Sequence, residues 1–237
     1  MKKLNWKICR PDNLSMANTT DVWLVELGRL KAEEWIFLAS NLTEDELMRS
    51  KKFQLESDRQ RFIAGRSVLR QLLSVYQNIP VGDLVLRNDR NRKPYLENAD
   101  ISFNLTAAGN KILLAFRRQN AKLRIGVDLE KVGLGEDVRS IAGHYHTPPE
   151  RVLAFEAASS NTFFKLWARR EALLQAAGVC QTEEMVAMDV GMRGHHVPLS
   201  GEGPYYIYSF RLNRGYVGSV AVEGGHGILR FFKWIAR

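Results

Sequence analysis

The sequence predicts an α+β fold, and three observations carry that prediction. Short stretches such as 21–28 and 124–132 alternate apolar and polar residues with the period of two of a half-buried strand. Longer stretches at 57–76 and 163–178 repeat their apolar residues at helical spacing. The strands cluster at both ends of each half and the helices lie between them, so no regular strand–helix alternation runs through the chain. In order, 21–28 reads as a strand and 30–41 as a helix. Thr43 is placed to cap the next helix, with Glu46 three residues on completing a capping box, and that helix runs to about residue 52. The helix over 57–76 turns Phe62, Val68, Leu69, Leu72, Leu73 and Tyr76 inward. Residues 88–92 form a polar turn, and 101–105 with 111–117 make a hairpin around Gly109 and Asn110. The strand at 124–132 follows, then a loop at 133–137 and a short helix over 138–145. Pro148 and Pro149 open another helix. After the 163–178 helix, strands are expected at 185–192, 205–212, 215–222 and 228–235.

Along the 124–132 strand, Ile125, Val127 and Leu129 face one way and Gly126, Asp128 and Glu130 the other. Two carboxylates side by side repel each other unless water or a cation intervenes. A hard divalent ion such as Mg2+ suits such a pair, taking carboxylate oxygens and filling its remaining positions with water and phosphate; Mn2+ accepts the same donors. Glu171 lies within the apolar stripe of Phe164, Trp167 and Leu174, and its neighbours at three and four residues carry no positive charge. A carboxylate so placed needs a partner from elsewhere in the fold. Asp128, Glu130 and Glu171 are therefore the candidate metal ligands.

Composition bounds the possibilities. The chain has 237 residues, 45% of them hydrophobic, which suits a globular protein with a substantial core. The two cysteines, Cys9 and Cys180, suggest reduced thiols and a cytoplasmic location. A basic start is interrupted before any apolar core of a signal peptide forms, and no run reaches the length of a membrane span. The net charge of +8 attracts anions. The basic residues are scattered, and neither zinc-finger spacing nor an RNA-binding aromatic motif occurs, which argues against nucleic acid as the partner. Trp6, Trp23, Trp35, Trp167 and Trp234 read as core or lobe-interface residues. His144 and His146 do not share a helical face, and His195 and His196 read as a solvent-exposed polar loop.

Five segments in order carry a resemblance to a known family. Gly126-Val127-Asp128-Leu129-Glu130 resembles the first signature of the 4′-phosphopantetheinyl transferases. Trp167-Ala168-Arg169-Arg170-Glu171-Ala172 resembles the second, Trp-x-x-Lys-Glu-Ala/Ser-x-x-Lys. Upstream, Arg92-Lys93-Pro94 resembles a Gly-Lys-Pro motif, Asn104-Leu105-Thr106-Ala107 resembles Asn-Leu-Ser-His, and residues 58–70 resemble an arginine-bearing helix. The resemblance spans about residues 45–180 and is to the long, single-chain class.

It implies two similar lobes related by a pseudo-twofold axis, each a small, mainly antiparallel sheet with helices, and an active site in the cleft between them. The lobes would be 1–120, bearing coenzyme A phosphate contacts, and 121–237, bearing the acidic metal site. The implied reaction moves the 4′-phosphopantetheine arm of coenzyme A to a serine of an apo acyl or peptidyl carrier protein, itself acidic, and releases 3′,5′-ADP with Mg2+ as cofactor. Glu171 or a water would take the serine proton. Arg49, Arg61, Lys93, Thr106, Arg170 and Gln175 fall where the family contacts coenzyme A. With both lobes in one chain, a monomer is expected. The sequence departs from the family pattern at Ala107 (for His), Gln175 (for the last Lys), Arg170 (for the Lys before Glu) and Arg92 (for Gly). These departures keep open a relative that binds carrier protein or coenzyme A without transfer; an unrelated basic binding module is the remaining alternative.

Overall fold

The computed structural model describes residues 4, 6–9, 19–91, 93–118, 123–133, 160–178, 190–191, 195–197, 204–213, 215–225 and 227–236. The expected helices at 138–145 and after Pro148, most of the expected strand at 185–192, His144, His146, Cys180, Arg92 and the lobe boundary at 120 lie outside them. Within the described residues the fold is α+β. The strands are β1 (Lys7–Cys9), β2 (Thr19–Glu26), β3 (Leu86–Asn88), β4 (Pro94–Leu96), β5 (Ile101–Ala108), β6 (Lys111–Arg118), β7 (Ile125–Lys131), β8 (His195–Val197), β9 (Tyr205–Asn213), β10 (Tyr216–Glu223) and β11 (Ile228–Trp234). The helices are α1 (Ala32–Ser40), α2 (Glu44–Ser50), α3 (Glu56–Gln77) and α4 (Ser160–Ala177). None of these is long and apolar enough to cross a membrane.

Local chemistry sets the boundaries. The Thr43 side chain accepts a hydrogen bond from the Glu46 backbone N–H, and Glu46 reaches back to the Thr43 N–H, so the expected capping box opens α2. Asn78 ends α3 in the left-handed conformation, at φ 53°, with its N–H on the Ser74 carbonyl. Gly109, at φ +54°, makes the tight β5–β6 turn.

Two sheets form the frame. One has the order β1-β11-β2-β6-β5 and the other β7-β10-β9-β8; β3 and β4 form a separate hairpin. In both sheets the first strand of a half pairs antiparallel with the last strand of a later hairpin: β2 with β6, and β7 with β10. The alternation of side chains then sorts the core into layers. Val22, Leu24, Leu113 and Ala115 of the first sheet pack on Ile125, Val127, Leu129, Phe210 and Val220 of the second. The opposite face of the first sheet, with Trp23, Val25, Ile112, Leu114 and Phe116, is covered by α3 through Val68, Leu69, Leu72 and Leu73. The outer face of the second sheet is covered by α4, whose Leu166, Ala172, Leu173 and Ala176 meet Tyr205, Ile207 and Ala221. The result is four layers: helix, sheet, sheet, helix.

Three expectations need revision. Residues 228–234, assigned from sequence to the second half, add to the first half's sheet: β11 lies parallel between β1 and β2, and Phe232 stacks on Trp23 at 4.7 Å. That sheet is accordingly mixed. His195 and His196 stand in β8, paired with β9, rather than in a loop. The three-residue strands β3 and β4 were too short to show a period. The tryptophan reading holds for Trp23 and Trp234, which are buried, and for Trp6, which packs edge-on to Phe210 and Phe231 between the sheets.

Charge pairs tie neighbouring elements together. Glu46 holds Arg70 through both carboxylate oxygens at 2.8 and 3.2 Å, and Arg70 also donates to the Val81 and Leu84 carbonyls. Glu26, at the end of β2, accepts from Lys111 at 2.7 Å and from Lys233 of β11. Burial raises the Glu26 pKa, but the two lysines outweigh it and bring it from the ordinary 4.5 down to about 2. A depressed carboxylate pKa contributes stability that is whole above the ordinary value and is lost as pH falls through the folded one. Glu26→Gln should therefore cost roughly 2 kcal/mol near neutral pH. In denaturant titrations its gap from wild type should narrow as pH falls from 4.5 to 2.

Candidate functional site

The candidate site is built where β5, β7 and α4 meet. Ile125, Val127 and Leu129 point into the core between the sheets, so Gly126, Asp128 and Glu130 face α4. Gly126 is where helix and strand touch. A Cβ there would lie 2.0 Å from the Ala172 carbonyl oxygen and 2.4 Å from the Ala176 nitrogen. Only a glycine lets the helix backbone come this close. The space beside Gly126 is filled by the main chain of α4.

This contact brings Glu171 toward the strand acids. Asp128 is buried, at 6% exposure, while Glu130 and Glu171 are half-buried. Burial first, then the charges of Glu130 and Glu171, push the Asp128 carboxyl well above the usual carboxylate range. The Leu129 N–H and the Thr106 hydroxyl, which donates to Asp128 Oδ1 at 3.3 Å, act the other way. Asp128 Oδ2 is buried with no hydrogen-bond partner. Such an oxygen is costly to leave unsatisfied. Among the described residues, no three His, Cys, Asp or Glu side chains close into a ready-made metal cage. The donor set fits a hard divalent cation: all oxygen, with one buried Asp128 oxygen unpaired.

The cations from the sequence reading are distributed around this centre. Lys93 is on the β3–β4 hairpin, and its Nζ donates to the carbonyls of Ile125 and Gln175, each at 2.8 Å. Burial brings its pKa down to about 8, against the pull of Asp89 and with help from Arg124. Arg61, on α3, donates to the Gly109 carbonyl at 2.9 Å and pairs with Asp58. Arg49, on α2, is exposed and lies over the Phe62 ring at 5.3 Å. Arg170 is buried on α4 and Gln175 is half-buried one turn beyond Glu171. Thr106 spends its hydroxyl on Asp128, and Ala107 is exposed. A cavity of about 340 Å³ adjoins Lys93, with Tyr95, Phe103, Ser102 and Arg124 in its wall.

Sequence reasoning passed over four positioning residues. Asn104 accepts the Val127 N–H at 2.8 Å and so joins β5 to β7, one residue from Asp128. Asp89 accepts the N–H groups of Asn91 and Lys93 and so shapes the hairpin turn. Arg124 and Asn91 donate to the Ala177 and Gly178 carbonyls at the end of α4. The Asn at the head of the Asn-Leu segment was the one available signal.

The fold is thus one of two packed sheets, each backed by a helix, with an acidic centre on the strand that one helix crosses. Comparison with known proteins narrows the reading. A family profile described as "4′-phosphopantetheinyl transferase, N-terminal" matches residues 29–119. The 4′-phosphopantetheinyl transferase HetI of Nostoc sp. is 30% identical over 186 residues, covering 74% of this chain and 77% of that protein. A phosphopantetheinyl transferase of Thraustochytrium sp. is 27% identical over 159 residues, covering 60% of this chain and 54% of that protein. The L-aminoadipate-semialdehyde dehydrogenase-phosphopantetheinyl transferase of Rattus norvegicus is 25% identical over 186 residues, covering 67% and 58%. The chain thus spans little more than half the length of the last two. The chain belongs to the 4′-phosphopantetheinyl transferase family.

The crossing at Gly126 is directly testable. Gly126→Ala forces backbone apart from backbone, with no flexible side chain to give way, and should destabilise the fold by about 3 kcal/mol or more. Thermal unfolding reads this as a large fall in Tm. Gly82→Ala, at a site with open space around it, is the control and should leave Tm nearly unchanged.

Proposed function

We propose that this protein transfers the 4′-phosphopantetheine arm of coenzyme A to a serine of an apo acyl or peptidyl carrier protein. The carrying observation is Asp128: a buried carboxylate with an unpartnered oxygen, held beside Glu130 and Glu171 where β7 meets α4. A structural acid would be paired; one kept apart from cations and close to like charge is suited to a bound cation. Asp128, Glu130 and Glu171 would hold Mg2+, or Mn2+, which when bound supplies neutralisation of charge at the pyrophosphate.

The chain's own residues account for the rest. The carrier's serine oxygen attacks the β-phosphorus of coenzyme A. A new phosphoester bond forms, and the bond from that phosphorus to the bridging oxygen breaks, releasing 3′,5′-ADP. Glu171 takes the serine proton, directly or through one water. Arg49 and Arg61 lie on the first-half side, where they can bind phosphate with planar guanidinium groups. Arg170 and Gln175 flank Glu171 in sequence on α4. Thr106 positions Asp128. The cavity beside Lys93 has aromatic and cationic walls and a volume suited to the nucleoside end of the substrate. Ile125 in its wall is three residues, about 10 Å, from Asp128 along β7.

The strand plan supports two similar lobes: strand, helix and hairpin in each half, with the hairpin's last strand inserted beside the first. The reading keeps residues 1–120 as one lobe and 121–237 as the other, with β11 crossing back to complete the first sheet. The site then lies where the sheet edges β5 and β7 meet.

The test is the intact mass of an apo carrier protein after incubation with this protein, coenzyme A and Mg2+. The expected outcome is a gain of one phosphopantetheine arm. Asp128→Ala and Glu171→Ala should each slow the gain by about 100-fold or more, equivalent to roughly 3 kcal/mol of lost transition-state stabilisation. Coenzyme A binding with no transfer to any of a panel of carriers would overturn the proposal and select a non-catalytic relative, the reading that Ala107 and Gln175 favour.

A further inference from the structure

The hairpin turn between β3 and β4 comes from the first half of the chain, yet it grips the end of a helix in the second half. Asp89 shapes the turn by accepting the N–H groups of Asn91 and Lys93, each at 2.8 Å, while its own N–H donates to the Lys93 carbonyl at 2.9 Å. The turn so formed offers two side chains to α4. Asn91 donates to the Gly178 carbonyl, and Lys93 to that of Gln175. The last carbonyls of a helix have no partner within it and carry the negative end of its dipole, so a lysine there is doubly favoured. Lys93 does one thing more: the same Nζ donates to the Ile125 carbonyl on β7. One ammonium thus joins the strand carrying Asp128 and Glu130 to the helix carrying Glu171.

We propose that Lys93 is a positioning residue that fixes the crossing of β7 and α4 and thereby the spacing of the three acids; this rests on the transferase reading above. Helix and strand approach most closely at Gly126, and Lys93 supplies a second fixed point next to it, between Ile125 and Gln175, beside the bond from Arg124 to the Ala177 carbonyl. With both points held, Glu171, one turn before Gln175, keeps its place relative to Asp128, three residues beyond Ile125. The resemblance assigns Lys93 to a phosphate of coenzyme A. The geometry commits two of its three N–H groups to main-chain carbonyls. Its burial, with a pKa near 8, suits a group enclosed by protein better than one extended to a solvated phosphate.

The experiment compares wild type with Lys93→Met, which keeps the apolar stem and removes the donors. Asn91→Ala, at an exposed position of the same turn, is the milder second variant should Lys93→Met unfold. Three quantities are read: Mn2+ affinity by electron paramagnetic resonance without coenzyme A, amide hydrogen exchange in α4, and kcat and KM for coenzyme A. The expected result for Lys93→Met is a loss of about tenfold in Mn2+ affinity and in kcat, in the range for residues supporting metal ligands. Exchange should quicken in the last turns of α4, and KM should stay within about threefold of wild type. Asn91→Ala should move the same quantities less. A KM raised about tenfold with Mn2+ affinity and exchange unchanged would overturn the proposal and return Lys93 to phosphate binding. The two readings fail separately. If wild type binds Mn2+ but transfers nothing, the transferase reading falls and the Mn2+ and exchange results still judge Lys93. If wild type transfers normally and both variants match it in every readout, the positioning role alone falls. A wild type that binds no Mn2+ overturns both.

Discussion

The arrangement depends on one close contact, the bare Cα of Gly126 against the backbone of α4. A helix packed on a sheet usually rests on side chains, which hold its axis well clear of the strand. Here one side chain is missing, and the strand reaches the helix main chain. Glu171 on α4 is thereby brought near enough for its charge to act on Asp128. Any side chain at Gly126 would push Glu171 away from Asp128, so the glycine and the acids form a single device. The device also needs β7 held from its other side. Asn104 does that by accepting the Val127 N–H, and the core residues Ile125, Val127 and Leu129 hold the strand against the first sheet.

Such a site works against the stability of the protein that carries it. Burying Asp128 beside two further acids disfavours its ionised form, and among the described residues only one hydroxyl and one backbone N–H act against that. The fold meets the cost elsewhere, in pairs with no part in the site. Asp21 is fully buried yet accepts the Tyr76 hydroxyl at 2.7 Å and two donors from Arg230 at 2.6 and 2.7 Å, while Trp23 donates to the same Tyr76 oxygen. Glu46 is similarly enclosed by Arg66 and Arg70. Each of these acids is surrounded by donors, as a buried structural carboxylate must be. The contrast in the same molecule sets Asp128 apart: it is an acid kept in the wrong company.

Much of this was legible in the sequence, for a reason that also marks its limit. Periodicity reports which face of an element is covered, so the alternation of 124–132 and the apolar stripe of α3 were readable, as was the Thr43–Glu46 capping box. Local side-chain rules reach only a few residues. The return of β11 to the first sheet is a choice of partner more than two hundred residues away, and nothing in its alternation names that partner. The same holds at the site. Asp128, Glu130 and Glu171 could be grouped because spacing puts two of them on one strand face and the third on an apolar stripe. The contacts of Lys93 could not be read from its residue type, since its acceptors are carbonyls, which every residue has. At Gly126 sequence shows that a side chain is missing and not what approaches.

Net charge misleads in a related way. The excess of +8 suggests a cationic surface for anionic partners. Yet Arg70, Lys111, Arg117, Arg169 and Arg170 are all buried. Arg169 alone donates to the carbonyls of Val190 and Ile207 and to the Ser209 hydroxyl, knitting α4 to the second sheet. Cations committed to carbonyls do not travel to meet a substrate, although their charge still adds to the local field. On the proposed function, phosphate contact falls to cations with solvent on one side, such as Arg49, held over an aromatic ring, and Arg61, tethered at the β5–β6 turn but not enclosed. Both come from the first half of the chain, while the acids come from the second. On that proposal, a substrate that carries phosphates and uses a bound cation lies across the junction of the two sheets. Anchoring it there draws on the same β5–β7 contact that holds Asp128 in place.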